Sequence, residues 1–319
     1  MTKTAFLFPG QGAQYPGMGK DFYEAFRSAR DLFDEADELL SFGLSKIIFE
    51  GPEAVLTETK HSQLAIFVTS VALLKTLQES FPDLTPSVCA GLSLGEYTAL
   101  YASGRLSFAE TLQLVKLRGA AMNKACESSQ GAMSAVLGLT AVQVEEIVCS
   151  LQPNHRVWVA NFNCPGQTVI SGTKEGVAAA ADELKARGAK RVLPLQVYGA
   201  FHSGLMQPAQ DSLAPAILEA AIQDSPVAFA MNVPGGFVEG VDQIKENLIR
   251  QVTHSVRWEQ SIQAMMDQDL SFYLEIGCGK TLTGLNRKIG VTAPSLSLDK
   301  VADLEEVGKQ LEKTVQGVR

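Results

Sequence analysis

Apolar and polar positions along the 319-residue chain alternate between two rhythms. Short, almost wholly apolar runs, TAFLF (4–8) and SVCA (87–90), predict buried strands. Longer stretches carry the helical period. A helix-like segment is expected from about 20 to 40. HSQLAIFVTSVALLKTLQES (61–80) predicts a strongly apolar helix stopped by Phe81-Pro82, and further helices are expected over 96–102 and 108–126. Strand patterns alternating with helix patterns predict an α/β fold with a mostly parallel sheet.

The texture changes near residue 129. AMSAVLGL (132–139) predicts a strand, and TAVQVEEIVCSL (140–151) a helix capped by Thr140. RVWVANF (156–162) and QTVISG (167–172) predict two strands around Cys164-Pro165-Gly166. TKEGVAAAADELKARG (173–188) reads as a helix and KRVLPLQV (190–197) as a closing strand. The order β-α-β-β-α-β is the ferredoxin-like pattern. The expected organisation is one α/β domain built from residues 1–128 and 198–319, with residues 129–197 inserted as a ferredoxin-like unit.

Composition narrows the function. Hydrophobic residues make up 46% and charged residues 19%, which favours a substantial core and argues against disorder. A net charge of −8 gives no support for a nucleic-acid surface, so an acidic partner would need a local basic patch. Cys89, Cys126, Cys149, Cys164 and Cys278 show no C-x-x-C spacing, which points to reduced thiols and away from a zinc site. The apolar run at the N-terminus is too short for a secretory signal, and no stretch approaches a membrane span. A soluble cytoplasmic protein is expected.

GLSLG (91–95) lies where a strand pattern turns into a helix pattern, the setting of a nucleophile elbow. Glycines on either side remove Cβ atoms that would clash, and the Ser93 hydroxyl is held clear of the sheet. The Leu94 N–H, at a helix N-terminus, can then stabilise an oxyanion. The bland alternative is a tight turn with a capping serine. A serine nucleophile needs a base. His202, in VYGAFHSGLMQP, is favoured because it lies at the exit of the insertion, just after a strand and before a helix pattern, with His254 as rival; His61 and His155 read as capping or surface residues. No carboxylate stands out as a third member. Asp211 follows His202, but a main-chain carbonyl could orient the imidazole equally well. Arg118 has Leu114, Val115, Ala121 and Met122 as helical neighbours, so it either snorkels or meets a buried anion. Two nucleotide-binding readings fail on spacing: Tyr15 and Leu274 stand where the two motifs would need glycine.

FPGQGAQYPGMG, GLSLGEY, LRGAAM, ANFNCPGQTVISG, GAFHSGLM, VRWEQSI and EIGCGKTLTGL, in this order, resemble the malonyl-CoA:acyl carrier protein transacylases and the related acyltransferase domains of polyketide synthases. The resemblance runs from about residue 3 to 290. It implies an α/β-hydrolase-like large domain with a ferredoxin-like small one. It implies transfer of malonyl from malonyl-CoA to the phosphopantetheine thiol of acyl carrier protein, through a malonyl-serine ester, feeding fatty-acid biosynthesis. It further implies Ser93 as nucleophile, His202 as base, Gln11 and Leu94 at the oxyanion hole, and Arg118 as the clamp on the malonate carboxylate. Asn161 would line the site, Phe201 resembles the malonyl-selective form of its motif, and the Gln251 carbonyl would orient His202. No bound cofactor or metal is implied, and a monomer is expected. Docking of the acidic carrier protein is assigned to KARGAKR and NRKI, with Lys190, Arg191, Arg287 and Lys288 prominent. Three positions depart from the family pattern: Leu92 stands where histidine is usual, and Ser255 and Cys278 where proline is usual. A hydrolase sharing the elbow, or a carrier-docking module without turnover, are the rival readings.

Overall fold

The two apolar runs at the head of the chain become neighbouring strands of one sheet. The computed structural model describes residues 3–197 and 199–317; the expected domain boundary at 198 and the extreme chain ends lie outside the described residues. The first part of the chain runs β1 (Thr4–Phe8), α1 (Lys20–Ala25), α2 (Arg27–Leu40), α3 (Leu44–Glu50), α4 (Glu53–Thr57), α5 (Thr59–Ser80), β2 (Val88–Gly91), α6 (Gly95–Ala102) and α7 (Phe108–Ser129). Next come β3 (Gly131–Leu137), α8 (Ala141–Leu151), β4 (Val157–Cys164), β5 (Gln167–Thr173), α9 (Lys174–Ala186) and β6 (Arg191–Pro194). The rest comprises α10 (Gln207–Glu219), β7 (Ala228–Met231), β8 (Gly236–Phe237), α11 (Val241–Arg250), α12 (Trp258–Met266), β9 (Phe272–Ile276), α13 (Thr281–Ile289), β10 (Ser295–Leu298) and α14 (Asp303–Gly317).

The large sheet has the order β10-β9-β1-β2-β7-β8, parallel except for the short hairpin of β7 with β8. Every residue of β1, β2 and β9 is buried, which explains why their sequences lack polar alternation. Side chains of β1 still alternate between faces. Phe6 and Phe8 enter the core built around α5, whereas Ala5 and Leu7 meet Trp258, Ile262 and Met265 on the opposite side. Each buried phenylalanine contributes roughly 1.5–3 kcal/mol. Helix α5 is buried on nearly every face, which accounts for its strongly apolar sequence. Among the described residues no helix is long and apolar enough to cross a membrane.

The single helix expected over 20–40 is two. Phe26 adopts an extended backbone (φ −125°, ψ 131°) between α1 and α2, and its ring stacks 6.0 Å from Phe22. Packing of that ring against the core outweighs helix continuity.

The small sheet is antiparallel with the order β4-β5-β3-β6, the ferredoxin-like arrangement. Its helices α8 and α9 share a separate core with Val136, Val157 and Ile170. Thr140 forms the expected cap as a full capping box with Gln143. β6 is an exposed edge strand ending at Pro194, a residue such edges tolerate. The chain enters this unit at Gly131 and leaves it at Ala200, and the two touch: a Cβ on Gly131 would lie 2.5 Å from the Cβ of Ala200.

Candidate active site

Three segments arrive at the carboxyl edge of the large sheet, where sites of α/β folds collect: Gly10-Gln11 after β1, Leu92-Ser93 after β2, and Asn232 after β7. Their crowding explains the glycines around the serine. A Cβ on Gly91 would fall 1.9 Å from the Gly95 carbonyl, one on Gly95 2.1 Å from Phe8 O, and one on Gly10 2.3 Å from Leu92 O. Ser93 itself is left-handed, at φ 54°, a region that non-glycine residues seldom occupy.

Asn232 holds that turn from across the sheet. Its Oδ1 accepts the Ser93 N–H at 2.7 Å and its Nδ2 donates to Gly91 O at 2.7 Å. Its own N–H donates to Glu96 Oε2 at 2.6 Å. Burial pushes the Glu96 carboxyl up to about 8, against the donors from Asn232 and Gln251 and the charge of Arg118, which hold it down.

His202 Nε2 lies 2.8 Å from Ser93 Oγ. Its Nδ1 faces two carbonyl oxygens, Gln251 O at 2.9 Å and His254 O at 3.1 Å. With two acceptors there, Nδ1 carries the proton and Nε2 presents its lone pair to the serine hydroxyl. Burial lowers His202 to about 4, and the charge of Arg118 lowers it further, against the two carbonyls. The imidazole is therefore neutral at neutral pH, the form a general base requires.

As expected, His202 stands between the inserted unit and a helix, α10, but not at a strand end. His202 does not follow a strand of the large sheet. β6 belongs to the small sheet, and His202 stands in a later turn, left-handed at φ 56° and fixed by its N–H to Val252 O at 3.1 Å. The rival His254 supplies only its carbonyl, because its ring faces Arg250 O and Thr253. Asp211 is exposed and bonds Gln207.

Arg118 neither snorkels nor meets a protein anion. It is 1% exposed, beneath the serine. Nη1 donates to Gln63 Oε1 at 2.6 Å; Nη2 donates to Gln251 Oε1 at 2.9 Å and to Ser93 Oγ at 3.1 Å. Its carbon lies 5.5 Å from the centre of the Tyr97 ring. All these hydrogen-bond partners are neutral, and among the described residues Arg118 forms no salt bridge. The guanidinium has no direct ion-pair partner, although the nearby Glu96 carboxyl acts on it through space, and its fork has the chemistry to receive a carboxylate.

Gln251 joins all of these groups. Besides its carbonyl to His202 and its Oε1 from Arg118, its Nε2 donates to Ser93 O at 2.8 Å and Glu96 Oε1 at 3.0 Å. The amide N–H groups of Gln11 and Leu94 have no acceptor among the described residues. Leu94 opens α6, so its amide adds the helix-terminus field. Phe201, 7% exposed, precedes His202 and packs in the main core. Asn161, 8% exposed, lies on β4 beside Val256, in the loop that carries the His254 carbonyl.

Ser255 Oγ donates to Val159 O at 2.6 Å, and Val256 exchanges backbone bonds with Ala160 and Phe162. A hydroxyl thus ties this loop to β4 where proline would have stiffened it. Leu92 is partly buried against the second core, giving apolar contact in place of a polar ring. Cys278 is buried with its thiol 3.1 Å from Met18 Sδ, and burial pushes that thiol up. Gln63, Glu96 and Asn232 escaped the reading of the sequence. Gln63 and Glu96 do carry a signal, as polar residues within apolar helical runs.

The sequence pattern of the acyl transferase domain family matches residues 5–288. A malonyl CoA-acyl carrier protein transacylase of Bacillus subtilis is 43% identical over 306 residues, covering 96% of this chain and 96% of that protein. The solved malonyl CoA-acyl carrier protein transacylase of Clostridium perfringens superposes with a TM-score of 0.94 at 35% identity, covering 100% of both chains. A malonyl transacylase solved in complex with its type II polyketide synthase acyl carrier protein has a TM-score of 0.91 at 36% identity, over 95% of this chain and 98% of that one.

Proposed function

Because this chain belongs to the malonyl-CoA:acyl carrier protein transacylases of the acyl transferase family, we propose that Ser93 carries the malonyl group between the two thiols, with His202 as base and Arg118 holding the free carboxylate. The protein is an S-malonyltransferase acting between malonyl-CoA and acyl carrier protein in fatty-acid or polyketide synthesis. The observation that carries the residue-level reading is the buried, unpaired Arg118, 3.1 Å from the serine hydroxyl.

Ser93 Oγ attacks the thioester carbon as its proton passes to His202 Nε2, and the carbonyl pair becomes an oxyanion facing the Leu94 and Gln11 amides. Collapse breaks the C–S bond, and His202 returns the proton to the departing CoA thiolate. The carrier's phosphopantetheine thiol then gives its proton to His202 and attacks the malonyl ester, and the steps run in reverse. The exchange needs no resident cofactor in this reading. Moving labelled acyl groups from malonyl-CoA and acetyl-CoA to purified carrier protein tests it: malonyl transfer far above acetyl transfer is expected, and equal rates would refute the role of Arg118.

Asn232 positions the nucleophile. Asn232→Ala strands the Ser93 N–H and the Gly91 carbonyl, at about 1–3 kcal/mol for each buried unsatisfied group. A lower urea midpoint is expected, with kcat reduced and KM for malonyl-CoA little changed. Phe201 narrows the acyl pocket beside His202 in this reading. Phe201→Ser is therefore expected to gain methylmalonyl transfer, measured against malonyl transfer in the same assay.

Three of the four docking candidates, Lys190, Arg191 and Lys288, lie at one end of the small sheet. Leu137 pairs with Gln167 on one side and Arg191 on the other, and its carbonyl accepts the Lys190 N–H at 2.8 Å. Lys288 Nζ donates to Gln167 Oε1 at 3.1 Å, and Arg287 is its exposed neighbour on α13. This clustering supports docking of the carrier there. Reversing charge at Lys190, Arg191 and Lys288 is expected to raise KM for the carrier and flatten its salt dependence, leaving formation of the Ser93 ester from malonyl-CoA unchanged.

A further inference from the structure

Ser93 Oγ stands between two nitrogen groups, His202 Nε2 at 2.8 Å and Arg118 Nη2 at 3.1 Å. The serine hydroxyl donates to the histidine, so the guanidinium donates to an oxygen lone pair. Attack on the thioester leaves Oγ neutral, moves the negative charge to the oxyanion, and turns His202 into an imidazolium. Without substrate charge, that cation forms across one oxygen atom from a second, permanent cation. In most serine–histidine sites a carboxylate behind the imidazole offsets the new charge. Here two neutral carbonyls occupy that position.

We propose that the free carboxylate of the bound acyl group is the counter-charge this site lacks: by pairing with Arg118 it draws Nη2 off Ser93 Oγ and cancels the positive charge opposing the imidazolium. This rests on the reading that Arg118 receives that carboxylate, and adds that the carboxylate activates the base as well as anchoring the substrate. Selection against acetyl groups is then exerted in kcat as well as in KM.

The charged and titratable groups around the Arg118–His202 pair are few. α6 contributes Glu96 and Tyr97, and α7 contributes Arg118 itself. The turn after α11 contributes His254, whose ring is turned to Arg250 O, and Asp211 on α10 is turned to Gln207. Burial pushes Glu96 up to about 8 and Tyr97 higher still and lowers His202 to about 4, so the acid limb of the reaction is assigned to His202.

The test supplies the substrate in two pieces. An acetyl group with formate beside it fills the place of a malonyl group, so acetyl transfer from acetyl-CoA to the carrier is measured against pH, with and without formate. Without formate, the acid limb is expected near 4. Saturating formate is expected to raise kcat for acetyl transfer and move the inflection upward by about 1 pH unit or more, toward the ordinary histidine value of 6.5. Formate should also compete with malonyl-CoA. In Arg118→Gln the acetyl inflection is expected already raised and insensitive to formate. The formate titration of the unaltered enzyme stands alone if that variant does not fold. Competition by formate with an unmoved kcat and inflection overturns the inference and leaves the carboxylate-clamp reading intact. If formate does not compete, and malonyl and acetyl transfer fall equally in Arg118→Gln, both are overturned.

Discussion

Ser93→Ala is expected to fold and to lose malonyl transfer by about 10⁴–10⁶-fold, the scale seen when a serine nucleophile is removed. Intact mass after mixing with malonyl-CoA should show no adduct, whereas the unaltered protein gains one malonyl group. The elbow does not depend on the hydroxyl. Its shape comes from close backbone approach at Gly10, Gly91 and Gly95 and from the Asn232 bonds to Ser93 N–H and Gly91 O. His202→Ala should be nearly as damaging, and the double variant little worse than either single one, because nucleophile and base act as a unit. An adduct that persists in Ser93→Ala would move the nucleophile elsewhere.

Arg118→Ala is expected to lower kcat/KM for malonyl-CoA by about 10²–10⁴-fold, corresponding to about 3–5 kcal/mol for a buried charge left without its partner. Acetyl-CoA, which offers no carboxylate, should lose nothing, so the preference between the two collapses. Equal losses would mean that the arginine serves only to hold Gln63 and Gln251 in place. Arg118→Lys separates charge from shape. A lysine keeps the positive charge but cannot span Gln63, Gln251 and a carboxylate with one fork, and should fall between.

The alternation of strands and helices up to about residue 197, the small sheet with its Thr140 cap and the elbow glycines were legible because each is written in adjacent residues. The break at Phe26 was hidden, since nothing local distinguishes a ring that turns into the core from one lying along a helix. Gln63, Glu96 and Asn232 were hidden for a related reason. Asn232 meets Ser93 across 139 positions of chain, and no spacing rule links residues so distant. Gln63 and Glu96 did leave a trace, as polar side chains at positions of α5 and α6 that packing would otherwise fill with apolar ones. Arg118 announced itself in the same way, but its partners lie on α5, in the elbow and after α11. The place of His202 at the exit of the inserted unit and ahead of a helix was anticipated, but a turn beyond the small sheet, and no strand end, delivers it.

The pinch between Gly131 and Ala200 has a bearing on how such a protein can diverge. A module whose two ends meet at one seam can lengthen, shorten or be exchanged for another without stretching the scaffold beneath it. Lys190 and Arg191, the two docking candidates borne by this module, are thus free to change while the scaffold beneath stays constant. That freedom stops at the seam. His202 lies two positions beyond Ala200, so a side chain that forced the seam open would press on the turn that carries its imidazole.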